Sequence, residues 1–364
     1  MTQISNSRIA FIVDALPSLG GGEKVLFNAL EIFPQADVFT LIYNKPVFVK
    51  SSIATRKIHT SFINSIPFAH KNHRLFLPLM LRAIEQFDLH AYDIVVSFSY
   101  AVANGAQTNG SRHISYTYTP MRYAWNHIGI DGKNHHNNFL IDQYMRYFRQ
   151  WDKQSAARIG EFAAISQAVS KRIVDSYQRK SRVIYPPVEV ERFKPNSTRE
   201  KFYITVTRLV PHKRVDLIIE AFAKLNLPLV IVGDGPDLPR LQKKATSNIR
   251  FTGFLCDREL EDLLSCARGF ICAAEEDFGI AMVEAQAAGC PVIAYGRGGA
   301  REIVRERQTG ILFSEQAAGS LIEAVESFEK SRSNFQMLEL IQSAKRFDKP
   351  RFISEFKAFV ESKT

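Results

Sequence analysis

Cysteine is scarce in this 364-residue chain, with four residues, Cys256, Cys266, Cys272 and Cys290, all in the last third and none in a Cys-x-x-Cys pair. That excludes a disulfide framework and a zinc ribbon of ordinary spacing, and is expected of small buried side chains in a reducing compartment. Long apolar runs are missing too. None approaches the roughly 18 residues of a membrane span, and a first strand beginning by Ile9 leaves no room ahead of it for a secretory leader, so a cytoplasmic location is expected. The dinucleotide fingerprint Gly-x-Gly-x-x-Gly fails at both glycine turns, SLGGGEKVLF (18–27) and GDGPDL (233–238), which gives a nicotinamide enzyme little support. Acidic residues are absent from Val38 to Ile84, where Lys45, Lys50, Arg56, Lys57, Lys71, Arg74 and Arg82 are interleaved with Phe62, Ile63, Ile66, Phe68, Leu75, Phe76 and Leu77. Within a net charge of +10, such a stretch suits an anionic membrane surface, a nucleic acid, or a solvated basic face over its own core. No RNP, helix-turn-helix or zinc-finger pattern favours nucleic acid, and no such partner is expected.

What is present is an alternation of β and α signals on a chain long enough for two domains. Apolar runs that read as buried strands are 8–14, 36–43, 92–99, 112–118, 161–166, 181–188, 202–209, 227–235, 248–254, 267–274 and 290–296. Several are continuous Val, Ile and Phe stretches without period-two alternation, as expected when helices cover both faces of a sheet. Helical patterns lie between them at Glu23–Phe33, Gln167–Tyr177, Val215–Leu225, Pro236–Thr246, Asp257–Cys266 and Ala281–Ala288. The expected class is α/β, doubly wound. The pattern starts twice, at Ile9 and at Tyr203, on either side of the proline-bearing stretch YPPVEVERFKPNSTREK (185–201). The expected division is therefore a Rossmann-like domain over 1–185, a linker over 186–200, a second Rossmann-like domain over 201–345 and a closing segment over 346–364. Two such domains facing each other would enclose a deep cleft.

Three groups of residues are candidates to fill it. Gly20, Gly21 and Gly22 stand where a strand turns into a helix, whose exposed N–H groups and positive dipole end suit a phosphate; a tight connection is the plainer alternative. In TRLVPHKRVD (207–216), Arg208 stands at a strand end and Lys213 in the loop beyond it. Two cations at the carboxyl end of a strand suit a diphosphate, Arg as a fork and Lys as a point charge; alone, each is an ordinary surface cation. The segment 271–304 carries Glu276 and Glu284, which in one continuous helix would lie about 80° and 12 Å apart. They share a ligand more easily if Glu276 sits in a loop before the helix, as Phe278-Gly279 implies. Carboxylates accept hydrogen bonds from hydroxyls, so two of them suit a sugar and a ribose, while N–H groups near Gly279 suit phosphate.

Together these residues resemble the retaining glycosyltransferases of family 4, which have the GT-B fold. The matching stretches are GGGEKVL (20–26), YTPMRYAW (118–125), AISQAVSKRI (164–173), VIYPPVEVERF (183–193), TRLVPHKRVD (207–216), VIVGDGPDL (230–238), FTGFLCDREL (251–260), EEDFGIAMVE (275–284), GGAREIV (298–304) and KRFDKPRFISEF (345–356). The resemblance implies transfer of a hexose from a nucleoside-diphosphate sugar, UDP-glucose or GDP-mannose, with retention of configuration and without a metal, to a saccharide acceptor in polysaccharide building. It implies that Arg208 and Lys213 bind the donor diphosphate, Glu276 the sugar hydroxyls and Glu284 the ribose. By the same resemblance, Phe278, Gly279 and Ile280 offer backbone to sugar and phosphate, Gly21 and Gly22 approach the diphosphate, and Phe254 and Leu255 flank the base. Where the family usually has His-Thr-Pro this chain has Tyr118-Thr119-Pro120, and Tyr118 with Arg122 is expected on the acceptor side. The resemblance also implies that the linker 186–200 is a hinge and that 346–364 is a helix returning to the first domain, and the stretch 45–82 would then dock a lipid-linked acceptor at the inner face of a membrane. Competing readings are a GT-B epimerase acting on the donor without an acceptor, a non-catalytic nucleotide-sugar binder, and a nucleic-acid binder using the charge.

Overall fold

A computed structural model describes residues 7–70, 76–125, 139–196 and 198–362. The described chain divides into two compact units: residues 7–125, 139–187 and 352–362 form the first, and 188–351 the second. Each is an α/β unit built on one parallel sheet.

In the first unit the strands are β1 (Ile9–Val13), β2 (Asp37–Thr40), β3 (Ile58–Thr60), β4 (Ile94–Ser99), β5 (Arg112–Thr117), β6 (Glu161–Ala164) and β7 (Arg182–Val183), in the sheet order β3-β2-β1-β4-β5-β6-β7. Every residue of β1 and of β4 is buried. That is why their sequences run apolar without alternation. Phe11 faces Val38 on one side and Val96 on the other. The second unit holds β8 (Tyr203–Val206), β9 (Leu229–Val232), β10 (Ile249–Gly253), β11 (Gly269–Cys272), β12 (Val292–Tyr295) and β13 (Gly310–Phe313), ordered β10-β9-β8-β11-β12-β13. All pairings in both sheets are parallel. The order reverses between β1 and β4 in one sheet and between β8 and β11 in the other. At such a reversal the connections leave to opposite sides and open a crevice beyond the carboxyl ends of the strands.

The eleven expected strands are all present, trimmed at their ends, and two short ones at sheet edges, β3 and β13, add to them. The helices Gln167–Tyr177, Val215–Leu225 and Asp257–Cys266 span the expected residues, whereas the pattern over Pro236–Thr246 narrows to Leu238–Gln242. There Pro239 sits in the first turn, and three-residue-spaced hydrogen bonds from Lys244 and Ala245 unwind the chain after it.

The linker expected over 186–200 is divided between the units, its described residues from Val188 onward belonging to the second. Val188 bridges to Asp348, with hydrogen bonds from Val188 N–H to Phe347 O and from Lys349 N–H to Val188 O, each 3.0 Å. Val190 and Phe193 are buried, and Arg199 donates to the carbonyls of Ser265 (2.6 Å) and Ala288 (2.9 Å). The helix Lys349–Glu361 carries Phe352 and Phe356 into the aromatic core of the first unit, against Phe98 and Tyr116. Among the described residues no helix is long and apolar enough to cross a membrane.

Candidate functional site

In the second unit the polar residues converge at the β8/β11 reversal. Beyond β8 the chain turns through Thr207–Val210 into a one-turn 3₁₀ helix, Pro211–Lys213, and Arg214 in the left-handed region redirects it into the helix Val215–Leu225. Beyond β11 the segment 273–278 runs to Gly279, the left-handed N-cap of the helix Ile280–Ala287. A side chain at Gly279 would collide with the end of Met282 and strain the backbone, so this sharp entry requires glycine. Lys213 Nζ lies 2.6 Å from both Oε1 and Oε2 of Glu276. Both side chains are about four-fifths buried, with 22% and 19% exposure. The main chain at Glu276 is clamped from the other side, where it forms an isolated bridge with Gly298 and its carbonyl accepts from Gly299 N–H at 2.8 Å. A small cavity bounded by Thr207, Lys213, Ala274, Glu276, Gly279 and Met282 lies between the two strand ends.

Glu276 therefore stands in the loop ahead of the helix and Glu284 within it. Glu284 is buried, and its Oε1 accepts from Arg192 Nη2 at 3.1 Å. The remaining predicted residues of this unit are spread more widely. Arg208 is exposed on the turn after β8 and makes no ion pair among the described residues. The ring of Phe278 packs against Phe347 with centroids 5.2 Å apart and is 3% exposed, so that residue offers the crevice only its backbone. Phe254, just past β10, is 81% exposed, an aromatic ring held in solvent beside half-buried Leu255. Among the described residues no group of three or more His, Cys, Asp or Glu is placed to hold a metal ion.

At the β1/β4 reversal of the first unit stands Asp14, which no motif in the sequence marks. Its buried carboxylate follows β1 directly and accepts four backbone N–H groups, from Tyr100 (2.7 Å), Ala101 (3.0 Å), Val102 (2.5 Å) and Ala103 (2.6 Å). It pins the loop after β4 to the end of β1. Burial outweighs those donors and holds the carboxyl up at about 6. Beside it Tyr118 donates its hydroxyl to Gly22 O at 2.9 Å. Burial, then the neighbouring Tyr116, Glu23 and Asp14, push the Tyr118 phenol well above its ordinary value, so it stays protonated and does not supply a base near neutrality. None of Gly20, Gly21 and Gly22 has a positive φ, and a methyl on Gly22 would meet the Tyr118 ring at an ordinary 3.6 Å. Backbone geometry thus does not require these glycines. Arg122 starts the short helix Arg122–Trp125 immediately after this turn.

Residues 188–347 match the family model described as glycosyl transferases group 1. The GDP-mannose-dependent alpha-(1-6)-phosphatidylinositol monomannoside mannosyltransferase of Mycobacterium tuberculosis is 31% identical over 170 residues, which are 38% of this chain and 44% of that protein. The match spans less than half the length of that curated relative. Among solved structures, Anabaena Alr3699/HepE in complex with UDP-glucose aligns over 98% of this chain and 100% of its own, with a TM-score of 0.74 at 16% identity. The lipopolysaccharide outer core galactosyltransferase WaaB in its apo form aligns over 96% and 98%, with a TM-score of 0.68 at 19% identity. The fold is that of GT-B glycosyltransferase structures, two Rossmann-like units each on a parallel sheet.

Proposed function

With its second unit matching group 1 glycosyl transferases, we propose that the chain is a retaining glycosyltransferase of family 4, independent of metal, that moves a hexose from a nucleoside-diphosphate sugar to a saccharide acceptor in polysaccharide synthesis. The observation that carries the reading is the Lys213–Glu276 pair at the β8/β11 reversal. A cation and a carboxylate, largely desolvated and bonded to each other, complement a ligand that brings both phosphate and hydroxyls. Lys213 and Arg208 take the diphosphate, Glu276 the hexose hydroxyls, and Glu284 the ribose. Phe254 and Leu255 flank the base. N–H groups of the 279–280 turn face the β-phosphate. In the reaction the bond from the anomeric carbon to the β-phosphate oxygen breaks as the acceptor oxygen attacks from the same face. The departing phosphate oxygen takes the acceptor proton. Lys213 and Arg208 stabilise the charge that develops there, which removes the need for a protein base.

Gly21 and Gly22 go with the diphosphate, while the acceptor goes with Tyr118 and Arg122 at the β1/β4 reversal of the first unit, where Gly22 leaves space that backbone geometry does not require. Two donors are in view. GDP-mannose is the donor in the name of the mycobacterial relative, and UDP-glucose is the ligand of the Anabaena structure. The test is calorimetric titration with UDP, GDP, ADP and NAD, repeated on Lys213→Ala and Glu284→Ala, followed by NMR assignment of the product anomer. Micromolar binding of one diphosphate, weakened at least tenfold in both variants, and an anomer matching the donor are expected. Tight NAD binding, or an inverted product, sinks the reading.

The acceptor is read as lipid-linked because of what the first unit exposes. Val47, Val49, Phe62 and Leu79 are exposed apolar side chains within the acid-free stretch, accompanied by exposed Lys45, Lys50, Lys57 and Arg82. A hydrogen bond of 2.8 Å from Tyr43 N–H to Asn64 Oδ1 ties the segment after β2 to the one after β3. Lys71, Arg74 and Leu75 lie outside the described residues. Such a surface is suited to anionic lipid, with on the order of 1 kcal/mol from each basic residue close to it. Flotation with phosphatidylserine vesicles should drop on changing Lys45 and Lys50 to Glu; equal flotation with purely zwitterionic vesicles would remove the lipid-linked reading.

A further inference from the structure

Among the described residues of the second unit, Arg192 has three carboxylates within 4 Å. It closes the 3₁₀ turn Val190–Arg192, in the segment whose sequence reads as a linker. Its guanidinium is 17% exposed and reaches two helices at once: Nη2 donates to Glu284 Oε1 at 3.1 Å, while Nη1 lies 3.4 Å from Asp257 Oδ1 and Nε 3.5 Å from Glu261 Oε1. The guanidinium carbon lies over the Phe193 ring, 4.7 Å from its centroid. One positive charge thus faces three carboxylates, an arrangement that repels a phosphate and accepts a neutral diol.

The helices it joins carry the two halves of the proposed nucleoside site. Asp257 and Glu261 belong to the helix Asp257–Cys266, which begins directly after Phe254 and Leu255. Glu284 belongs to the helix Ile280–Ala287. A planar fork with fixed donor directions sets the orientation of a carboxylate in a way that a point charge cannot.

We propose that Arg192 is a positioning residue for nucleotide recognition: it fixes the Glu284 carboxylate to receive a ribose diol and sets the separation between that carboxylate and the base-flanking turn at Phe254 and Leu255. This rests on the donor-site reading given above and adds a residue that touches neither sugar nor phosphate.

The discriminating measurement compares ribose with 2′-deoxyribose. UDP, GDP and their 2′-deoxy counterparts are titrated calorimetrically into the wild-type chain and into Arg192→Lys, Arg192→Met and Glu261→Gln. A hydrogen bond to a charged group makes the wild type prefer the ribose form by about tenfold or more. In Arg192→Lys, which keeps the charge and loses the fork, the preference is expected to fall below about threefold, while affinity for the deoxy form stays within about twofold of wild type. Glu261→Gln, which leaves the Glu284 contact intact, should lower the preference in the same direction by less. If Arg192 merely neutralises a buried carboxylate, Arg192→Lys keeps both affinities and the ribose preference of the wild type, and the two affinities fall together only in Arg192→Met; a preference that persists in Arg192→Lys overturns the proposal even if Arg192→Met fails to fold. A wild type that binds diphosphate tightly without distinguishing ribose also overturns it while leaving the glycosyltransferase reading in place. A wild type that binds neither nucleotide removes both.

Discussion

Single side chains divide here into those whose type announces a role and those whose role is made by burial. Lys213 and Glu276 belong to the first kind, because a cation after one strand and an acid after another are visible at the positions where a doubly wound sheet opens. Asp14, Arg192 and His113 belong to the second, since nothing in their local sequence tells what surrounds them. His113, on β5, is 3% exposed. Ser97 Oγ lies 2.6 Å from its Nε2 and also donates to Ala103 O at 3.1 Å, so Ser97 accepts from an Nε2–H tautomer. Nδ1 is buried without a hydrogen-bond partner, and a proton there would have none either. Burial, then the nearby Arg158 charge, press the imidazole down from 6.5 to about 3. The unfolded chain therefore binds a proton below about 6.5 that the folded protein refuses until about 3. The stability of the neutral buried state is intact above that window and lost as the pH falls through it. Between pH 7 and pH 5 the wild type should lose about 2 kcal/mol more than His113→Gln, at 1.36 kcal/mol per pH unit below 6.5. Urea denaturation of both proteins at the two pH values measures this; parallel losses would mean that His113 takes up its proton while folded.

At the level of elements, the runs that became central strands were legible because both of their faces are buried, which removes the polar alternation that would otherwise blur strand and loop. The edge strand β3 was not, being three residues long with none of them buried, and β13 was missed although three of its four residues are buried. The linker expected over 186–200 differs again: Pro186, Pro187 and Pro195 dominate the local pattern, while Val188, Val190 and Phe193 are anchored in the second unit, Val188 by partners far away in sequence. The same holds for the loop carrying Glu276. Its acidic residues can be read from the sequence, but its shape depends on Gly298, where φ is +59° and a Cβ would press into the carbonyl oxygen of Glu276. Alanine there adds left-handed strain of about 1–2 kcal/mol and pushes the Glu276 main chain off its bridge. We expect Gly298→Ala to lower turnover tenfold or more and to reduce the melting temperature of the second unit. Gly319 lies in the helix Ala318–Ser331 with nothing within 4 Å of an added methyl. Gly319→Ala should instead stabilise by about 0.5–1 kcal/mol with activity unchanged. Equal effects of the two changes on turnover would show that the clamp on Glu276 is dispensable.

Across the whole molecule, the chain completes the first unit only after building the second. It leaves the first at Pro187 and re-enters at Phe352. The returning helix places Phe356, fully buried, at the centre of an aromatic cluster, with ring centroids 6.5 Å from Phe11, 6.3 Å from Phe33, 5.8 Å from Phe98, 5.7 Å from Tyr116 and 5.2 Å from Phe352. All of these rings belong to the first unit. The core of the second is a separate cluster around Tyr203, Phe222, Ile271 and Phe328. Removing the Phe356 ring withdraws edge contacts from Phe11, Phe33 and Tyr116, a tilted one from Phe98 and a stacked one from Phe352, and leaves a cavity that a rigid sheet does not fill, at a cost of about 3–5 kcal/mol. If each unit draws its stability from its own core, Phe356→Ala should split thermal unfolding into two transitions, the earlier one belonging to the first unit. UDP or GDP affinity, measured below that transition, should stay within twofold of wild type, because every residue assigned to base, ribose and hexose lies between 188 and 351. A single transition displaced as a whole, with diphosphate affinity falling alongside it, would mean that the returning helix stabilises both units together and that the donor site depends on the first.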